Sequence, residues 1–156
     1  MIIMKEFIDA SVFLGVNSKD EKIRIACKSF FVKRLDKTIW MCLEQVGICD
    51  DTVWHFTREE QDAYYPYMDN LHTIMDIRRI PYNEKDLKAG NKIKKIGLTE
   101  KLALSMAISR KGVLYTVDRK ILSLKMKCTK TPEFSEELEF PPELEKLYKN
   151  SLKLRI

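Results

Sequence analysis

The sequence predicts an α/β fold, a three-layer sandwich with a mainly parallel central sheet. Short β-prone runs alternate with amphipathic helical segments along most of the 156 residues, and this alternation is typical of parallel strands joined by helices. The chain contains only five glycines and five prolines, which argues against a disordered or fibrous protein. A chain of this length forms one ordinary domain.

The first predicted elements are a strand, a helix, a second short strand and a second helix. The first strand is a β-prone apolar run that ends at Asp9. Ser18 and Glu21 form a capping-box signature at the start of the first helix. The second strand lies near residues 38–39 and leads into a helix that contains Glu44.

The middle of the chain contains two further helices on either side of a strand. Thr57 and Glu60 form a capping box for a long helix, which Pro66 is expected to kink or split. Residues 75–80 form a strand that ends before a proline, and Asn83 caps the next helix.

The last elements of the predicted core are a helix and two strands. Thr99 is the expected N-cap of a helix that opens with Glu100. A β-branched and aromatic run at residues 112–117 ends at Asp118, and residues 124–128 alternate like a weak strand.

The tail differs from the core in composition. We assign residues 1–156 to one domain with a core of about 1–130 and a helical extension of about 131–156. An amphipathic helix is predicted from Glu143 to Leu152. This helix either packs on its own domain or contacts a partner, including a second copy in a homodimer.

Two acidic residues follow apolar strands. Asp9 and Asp118 each close a β-prone run. In open parallel sheets ligands bind outside the carboxyl ends of the strands, so both side chains can converge on one crevice. Taken singly, each would be interpreted as a turn or cap residue.

Two further acidic residues fall on apolar helical faces. Glu100 shares a helical stripe with Leu104, Ala107 and Ile108, and Glu44 shares one with Trp40, Met41 and Ile48 if that stretch is helical. Taken singly, each would be a surface residue or an N-terminal dipole partner. Their coincidence with the strand-end aspartates predicts one joint site.

Four gathered carboxylates need a positive partner. Two unit charges about 4 Å apart repel by about 4 kcal/mol at an effective dielectric of about 20. No arginine or lysine is obviously dedicated to this site, whereas a hard divalent cation prefers oxygen ligands and also supplies chemistry. The sequence therefore predicts a divalent-metal site.

This ordered set of acids resembles the PIN domain family of metal-dependent nucleases over roughly residues 1 to 130. Many family members have Asp at the third acidic position, where this chain has Glu100, but another type of member has Glu there. The segments that carry the resemblance are Phe7–Val12, Glu44, Gly97–Glu100 with Ala103 and Ala107, and Thr116–Asp118.

The resemblance implies a ribonuclease specific for single-stranded RNA that uses Mg²⁺ or Mn²⁺. Members are often the toxin of a toxin–antitoxin pair, so a protein antitoxin is an expected partner beside RNA. The resemblance assigns metal binding and catalysis to four residues and hydrogen-bonding support to two: Asp9, Glu44, Glu100 and Asp118, and Ser11 and Thr116.

Basic and aromatic residues offer candidate RNA contacts. The net charge is +5, and Lys92, Lys94 and Lys95 precede Glu100, where they could bind a phosphate backbone. The alternative is a solvated helix face. The aromatic residues between positions 54 and 67 could stack on bases, but packing in the core or in a helix hairpin is the favoured interpretation.

The amino-terminal residues and the cysteines indicate the cellular compartment. The amino terminus is interrupted too early by charges for a signal peptide or membrane span, so we expect a cytoplasmic protein with no membrane contact. The four cysteines lack paired spacing and are expected to be reduced core residues.

The alternative function is a catalytically inactive PIN-like module that binds RNA or protein. A receiver-like phosphoacceptor domain fits less well because no adjacent acid pair follows the first strand.

Overall fold

The computed structural model describes residues 4–156 and contains a five-stranded, all-parallel sheet in the order β3-β2-β1-β4-β5. The strand β1 lies at the centre of the sheet, with β2 on one side and β4 on the other. The strands are β1 Glu6–Ile8, β2 Thr38–Cys42, β3 Asp76–Ile80, β4 Val113–Tyr115 and β5 Thr129–Lys130.

Helices cover both faces of the sheet and complete the predicted three layers. Alternate residues of β1 point to opposite faces, so Ile8 lies in one buried cluster and Phe7 in the other. The fold class predicted from the sequence is confirmed. The helices are α1 Ala10–Gly15, α2 Glu21–Val32, α3 Leu43–Trp54, α4 Arg58–Ile74, α5 Glu84–Ala89, α6 Leu98–Ser109, α7 Arg119–Ser123 and α8 Pro142–Ser151.

Several predicted boundaries agree with the structure. The capping box of Thr57 and Glu60 is present at the start of α4, and Asn83 caps α5. The strand predicted at residues 75–80 is β3. The helix α4 is not split at Pro66, because buried residues before and after the proline hold both halves against the core.

Two predicted helix starts are each wrong by two residues. The N-cap of α2 is Asp20, not Ser18, because the Asp20 carboxylate accepts the free backbone N–H groups of Lys22 and Ile23. The helix α6 begins at Leu98 with Gly97 as N-cap, so Thr99 lies inside its first turn.

The strand predicted at residues 124–128 is also wrong. Asp118 caps the short helix α7, which ends at Ser123 directly before this segment, and Lys125 then adopts a positive φ of 51°. The chain therefore turns before it can pair with β4. Pairing begins only at β5, where Leu114 lies opposite Thr129.

The tail helix α8 packs on α4 of the same chain. Tyr148 of α8 lies against Tyr67 of α4, with ring centroids 5.3 Å apart, and both side chains are fully buried. The Asn17 amide binds the carbonyl oxygens of Ser151 and Leu154 and so fixes the end of the tail. No helix between residues 4 and 156 is long and apolar enough to cross a membrane.

Candidate active site

Asp9 lies at the carboxyl end of the central strand and caps α1. Only 3% of the residue is exposed. One carboxylate oxygen accepts hydrogen bonds from the Ser11 N–H at 3.0 Å, the Ser11 hydroxyl at 2.5 Å and the Val12 N–H at 3.3 Å. The other accepts the Thr116 hydroxyl at 2.5 Å. Both predicted supporting residues therefore contact Asp9 directly.

Ionisation of the Asp9 carboxylate is unfavourable in this buried position. Burial raises its pKa from 3.8 to about 6, although the hydrogen bonds from Ser11, Thr116 and Val12 oppose this shift. The negative charge of Asp118 raises the pKa further. All four hydrogen bonds come from neutral donors, so no cation compensates this charge in residues 4–156.

Asp118 is joined to Asp9 through one hydroxyl group. The Asp118 N–H donates to Thr116 Oγ1 at 3.0 Å, and the same hydroxyl donates to Asp9. The Asp118 carboxylate accepts the Lys120 N–H at 2.8 Å as the cap of α7, and the residue is half-buried. The structure thus brings the two strand-end aspartates to one edge of the sheet, as the parallel topology predicts.

Glu44 lies in the first turn of α3 and is half-buried. The expectation that it shares a helical stripe with Trp40 and Met41 is wrong. Both residues belong to β2 and pair there with β1 and with β3, so the helix begins only at Leu43. The Glu44 carboxylate instead accepts the thiol of Cys42.

Glu100 lies in the first turn of α6, and the helical stripe predicted for it exists. Leu104 and Ala107 are fully buried, whereas Glu100 is half-buried at the end of the stripe. Its carboxylate accepts the Thr99 hydroxyl at 3.2 Å and lies over Gly97, where a Cβ atom would come within 2.6 Å of it.

Gln45 is a buried residue at this edge that the sequence interpretation missed. Only 4% of it is exposed. Its carbonyl oxygen accepts the Ala10 N–H at 2.9 Å, and its amide donates to the Thr99 carbonyl at 2.9 Å. Gln45 therefore links the residue after Asp9 to the residue before Glu100. The available signal was an uncharged amide within an otherwise apolar stretch beside Glu44.

The carboxylates of Asp9 and Asp118 fit a magnesium ion that keeps most of its water ligands. Between residues 4 and 156, no three His, Cys, Asp or Glu side chains lie close enough together to hold a metal ion. Glu44 and Glu100 are each turned toward a local hydrogen-bond donor. Mg²⁺, however, usually retains several waters and takes only one or two carboxylates. Asp9 and Asp118 supply that number, and the buried, uncompensated charge of Asp9 favours a cation.

The three predicted RNA-binding lysines lie in the loop between α5 and α6. Lys92, Lys94 and Lys95 are all exposed, and none makes a side-chain ion pair within the described part of the chain. The helix assumed in the alternative interpretation does not extend to these lysines, since Gly90 ends α5, but their exposure to solvent agrees with that interpretation. Of the aromatic residues considered for stacking, Tyr64 and Tyr67 are buried in the core.

The family model that matches residues 1–156 is described as "Family of unknown function (DUF6190)". A comparison with curated proteins finds no match. Among solved structures, VapBC2 from Rickettsia felis, bound to a DNA fragment from their promoter, has a chain with TM-score 0.61 and 14% identity, covering 83% of this chain and 100% of that chain. PAE2754 from Pyrobaculum aerophilum has TM-score 0.59 and 15% identity, covering 94% of this chain and 90% of that chain. These likenesses show a PIN-like fold.

Proposed function

This chain belongs to the DUF6190 family, and we propose that it is a divalent-metal-dependent ribonuclease. Its site lies at the carboxyl end of the central sheet, with Asp9 and Asp118 as the metal-binding pair. Glu44 and Glu100 lie on the neighbouring helices α3 and α6, which Gln45 links, and they would contact the metal through water molecules.

The observation that supports this proposal is the state of Asp9. A carboxylate that is 3% exposed, bound only by neutral donors and raised in pKa to about 6 destabilises the protein at neutral pH. Ionisable groups whose pKa is strongly shifted by burial occur preferentially at functional sites. The PIN-like fold puts this carboxylate where parallel sheets bind ligands.

The side chains around Asp9 hold it in one orientation. Ser11 and Thr116 bind opposite carboxylate oxygens, and the Ser11 hydroxyl also accepts the Val117 N–H at 2.9 Å. The ends of β1 and β4 therefore keep a fixed separation. A bound Mg²⁺ or Mn²⁺ supplies Lewis acidity, which acidifies a water molecule and offsets charge on a phosphodiester.

RNA is the proposed substrate because three lysines lie in the loop before α6, the helix whose first turn contains Glu100. Lys92, Lys94 and Lys95 are exposed and free of side-chain ion pairs in the described structure, so each can contact a backbone phosphate. A protein antitoxin is the proposed partner. This part of the proposal rests on the resemblance to PIN toxins and on the structural likeness to VapBC2.

The decisive experiment compares Asp9→Asn with Asp36→Asn on single-stranded RNA in the presence of Mg²⁺ or Mn²⁺. Asp36 is an exposed acid just before the amino end of β2, whereas Asp9 follows the carboxyl end of β1, so Asp36 serves as the matched control. We expect cleavage by the wild type and by Asp36→Asn, loss with EDTA, and at least a 100-fold loss with Asp9→Asn. Equal cleavage by both variants would overturn the proposal.

A second candidate function is an inactive module that binds RNA or protein. The specific observation in its favour is that no three potential metal ligands converge within residues 4–156. RNA binding by the wild type, weakened by Lys94→Gln and accompanied by no cleavage with either metal, would establish this alternative.

A further inference from the structure

A cavity separate from the acidic edge lies between α3, α4 and the strands β2 and β3. Its volume is about 240 Å³, below the range of about 300–1,000 Å³ typical of sites for drug-sized ligands. Its wall is apolar and formed by Phe13, Met41, Val53 and Met68, all of them buried. The cavity therefore suits the apolar portion of a small molecule.

Charged groups of both signs surround the mouth of this cavity. Asp50, Asp69 and Arg79 line it and are exposed to solvent. Between residues 4 and 156, none of these three side chains takes part in a hydrogen bond or an ion pair. The adjacent Arg78 differs, because it pairs with Asp76 at 3.3 Å. Opposite charges thus line one opening without neutralising each other.

His72 adds an acceptor to the same opening. Its Nδ1 lies 2.9 Å from the Met68 carbonyl oxygen, and because a carbonyl only accepts, Nδ1 carries the proton. Burial lowers the pKa of the imidazole below its ordinary value, so the ring is neutral at pH 7. The other ring nitrogen, Nε2, then carries a lone pair and has no partner among the described residues.

We propose that this cavity binds a small zwitterion of the α-amino acid class with an apolar side chain. The apolar side chain lies against Phe13 and Met68. The ligand's ammonium group binds the carboxylates of Asp50 and Asp69 and the free nitrogen of His72. Its carboxylate binds the Arg79 guanidinium, a pairing whose planar geometry allows two parallel hydrogen bonds.

Simpler ligands satisfy fewer of these groups. An anion would meet the Arg79 guanidinium but would be repelled by the two carboxylates. A cation would meet the carboxylates but would be repelled by Arg79. A purely apolar ligand would fill the cavity and leave all three charges without partners. Only a molecule with both charges and an apolar body matches every feature.

The first test is isothermal titration calorimetry of the full chain with L-phenylalanine, L-leucine and L-methionine. L-phenylalaninamide lacks the carboxylate and N-acetyl-L-phenylalanine lacks the ammonium group, so each removes one proposed contact. We expect saturable binding of at least one free amino acid and at least 10-fold weaker binding of both blocked forms of phenylalanine. No binding of any free amino acid at millimolar concentration would overturn the proposal.

The second test uses neighbouring arginines as a matched pair. Arg79→Gln removes the proposed carboxylate partner, whereas Arg78→Gln removes a positive charge one residue away that is paired with Asp76. We expect Arg79→Gln to weaken amino acid binding at least 10-fold and Arg78→Gln to leave it unchanged, with circular dichroism confirming that both variants fold. Equal affinity of the two variants would place the ligand elsewhere and overturn the assignment.

Discussion

Asp9 and Lys28 are both buried ionisable groups, but the surroundings of Asp9 leave its charge unpaired whereas those of Lys28 pair it. Around Asp9 every hydrogen-bond donor is neutral, and burial raises the pKa to about 6. Behind α2, the fully buried Lys28 ammonium contacts Glu137 at 2.6 Å and Glu145 at 2.9 Å. There, hydrogen bonds from Arg24 and Lys28 lower the pKa of Glu137 to about 2.

The difference separates a structural site from a candidate functional one. The paired charges behind α2 join that helix to the tail, because Glu137 and Glu145 both lie after residue 130. Arg24 reinforces them through Glu137 at 2.7 Å and the Tyr148 hydroxyl at 2.8 Å. The Asp9 carboxylate forms no ion pair in residues 4–156 and links β1 to β4 only through the neutral hydroxyl of Thr116, so its charge needs another explanation. A cation that binds at the sheet edge would supply it.

Lys28→Met is expected to cause the largest loss of stability. It leaves two glutamates without the buried ammonium and removes a cation that lies 4.8 Å from the Tyr148 ring. Breaking one partner of a buried pair typically costs about 3–5 kcal/mol, measured as the free energy of unfolding in urea.

Lys33→Met is the control for Lys28→Met. Lys33 pairs with Glu133 at 3.6 Å, but the two side chains are 39% and 85% exposed, so its loss should cost at most about 1 kcal/mol. The double variant Lys28→Met with Glu145→Gln should recover part of the stability. Equal losses in the two single variants would remove the contrast between the regions.

Asp9 is expected to make the protein less stable as the pH rises. Its folded-state pKa is raised from 3.8 to about 6, so the folded state holds the proton more tightly than the unfolded state. Stability from this group is fully present below pH 3.8 and is lost as the pH rises through about 6. At about 1.36 kcal/mol per pKa unit, the loss is about 3 kcal/mol.

The difference in unfolding free energy between the wild type and Asp9→Asn isolates this effect from the other carboxylates. Asn cannot ionise, so the variant should gain stability relative to the wild type between pH 4 and pH 7 on the order of 3 kcal/mol. A difference that stays constant across this range would show that the Asp9 charge is compensated after all.

Binding of a metal ion is expected to offset the loss of stability that ionised Asp9 causes. At pH 7.5, Mg²⁺ or Mn²⁺ at about 100 times the dissociation constant should stabilise the wild type by about 2.7 kcal/mol. Thermal unfolding with and without the ion measures the effect, and Asp9→Asn should lose most of it. Asp36→Asn should respond like the wild type, and an equal response in Asp9→Asn would place any ion elsewhere.

Local patterns in the sequence predict the strand ends but not the contacts between distant segments. Apolar runs closed by Asp9 and Asp118 identify β1 and β4, because an acid that follows a buried strand can be recognised within a few residues. The partners of Lys28 lie 109 and 117 positions away, and no local pattern reveals them. The predicted cap of α2 is wrong because Ser18 and Asp20 are both good N-cap residues, and the backbone of Ser18 and Lys19 is hydrogen-bonded to the distant Arg155 and Ile156.

The same limit explains why Gln45 was missed and why it offers a final, smaller test. Its two backbone partners lie 35 and 54 positions away. Gln45→Leu would leave the Ala10 N–H without a partner and remove the side-chain hydrogen bond to the Thr99 carbonyl oxygen, at a cost of about 1–3 kcal/mol in unfolding free energy. RNA cleavage should also fall about 10-fold to 100-fold, because both partners adjoin acidic residues of the proposed site and small displacements there are costly.

Gln61→Leu is the matched control, because this side chain also binds two backbone groups, the carbonyl oxygens of Trp54 at 3.1 Å and Phe56 at 2.8 Å. Those partners lie at the junction of α3 and α4, so Gln61→Leu should lower stability without changing cleavage by the folded protein. Cleavage per folded molecule, determined well below the unfolding temperature, distinguishes the two glutamines. If both variants retain full cleavage, Gln45 stabilises the edge of the sheet just as the Lys28 cluster stabilises the tail, and the positions of Glu44 and Glu100 do not depend on it.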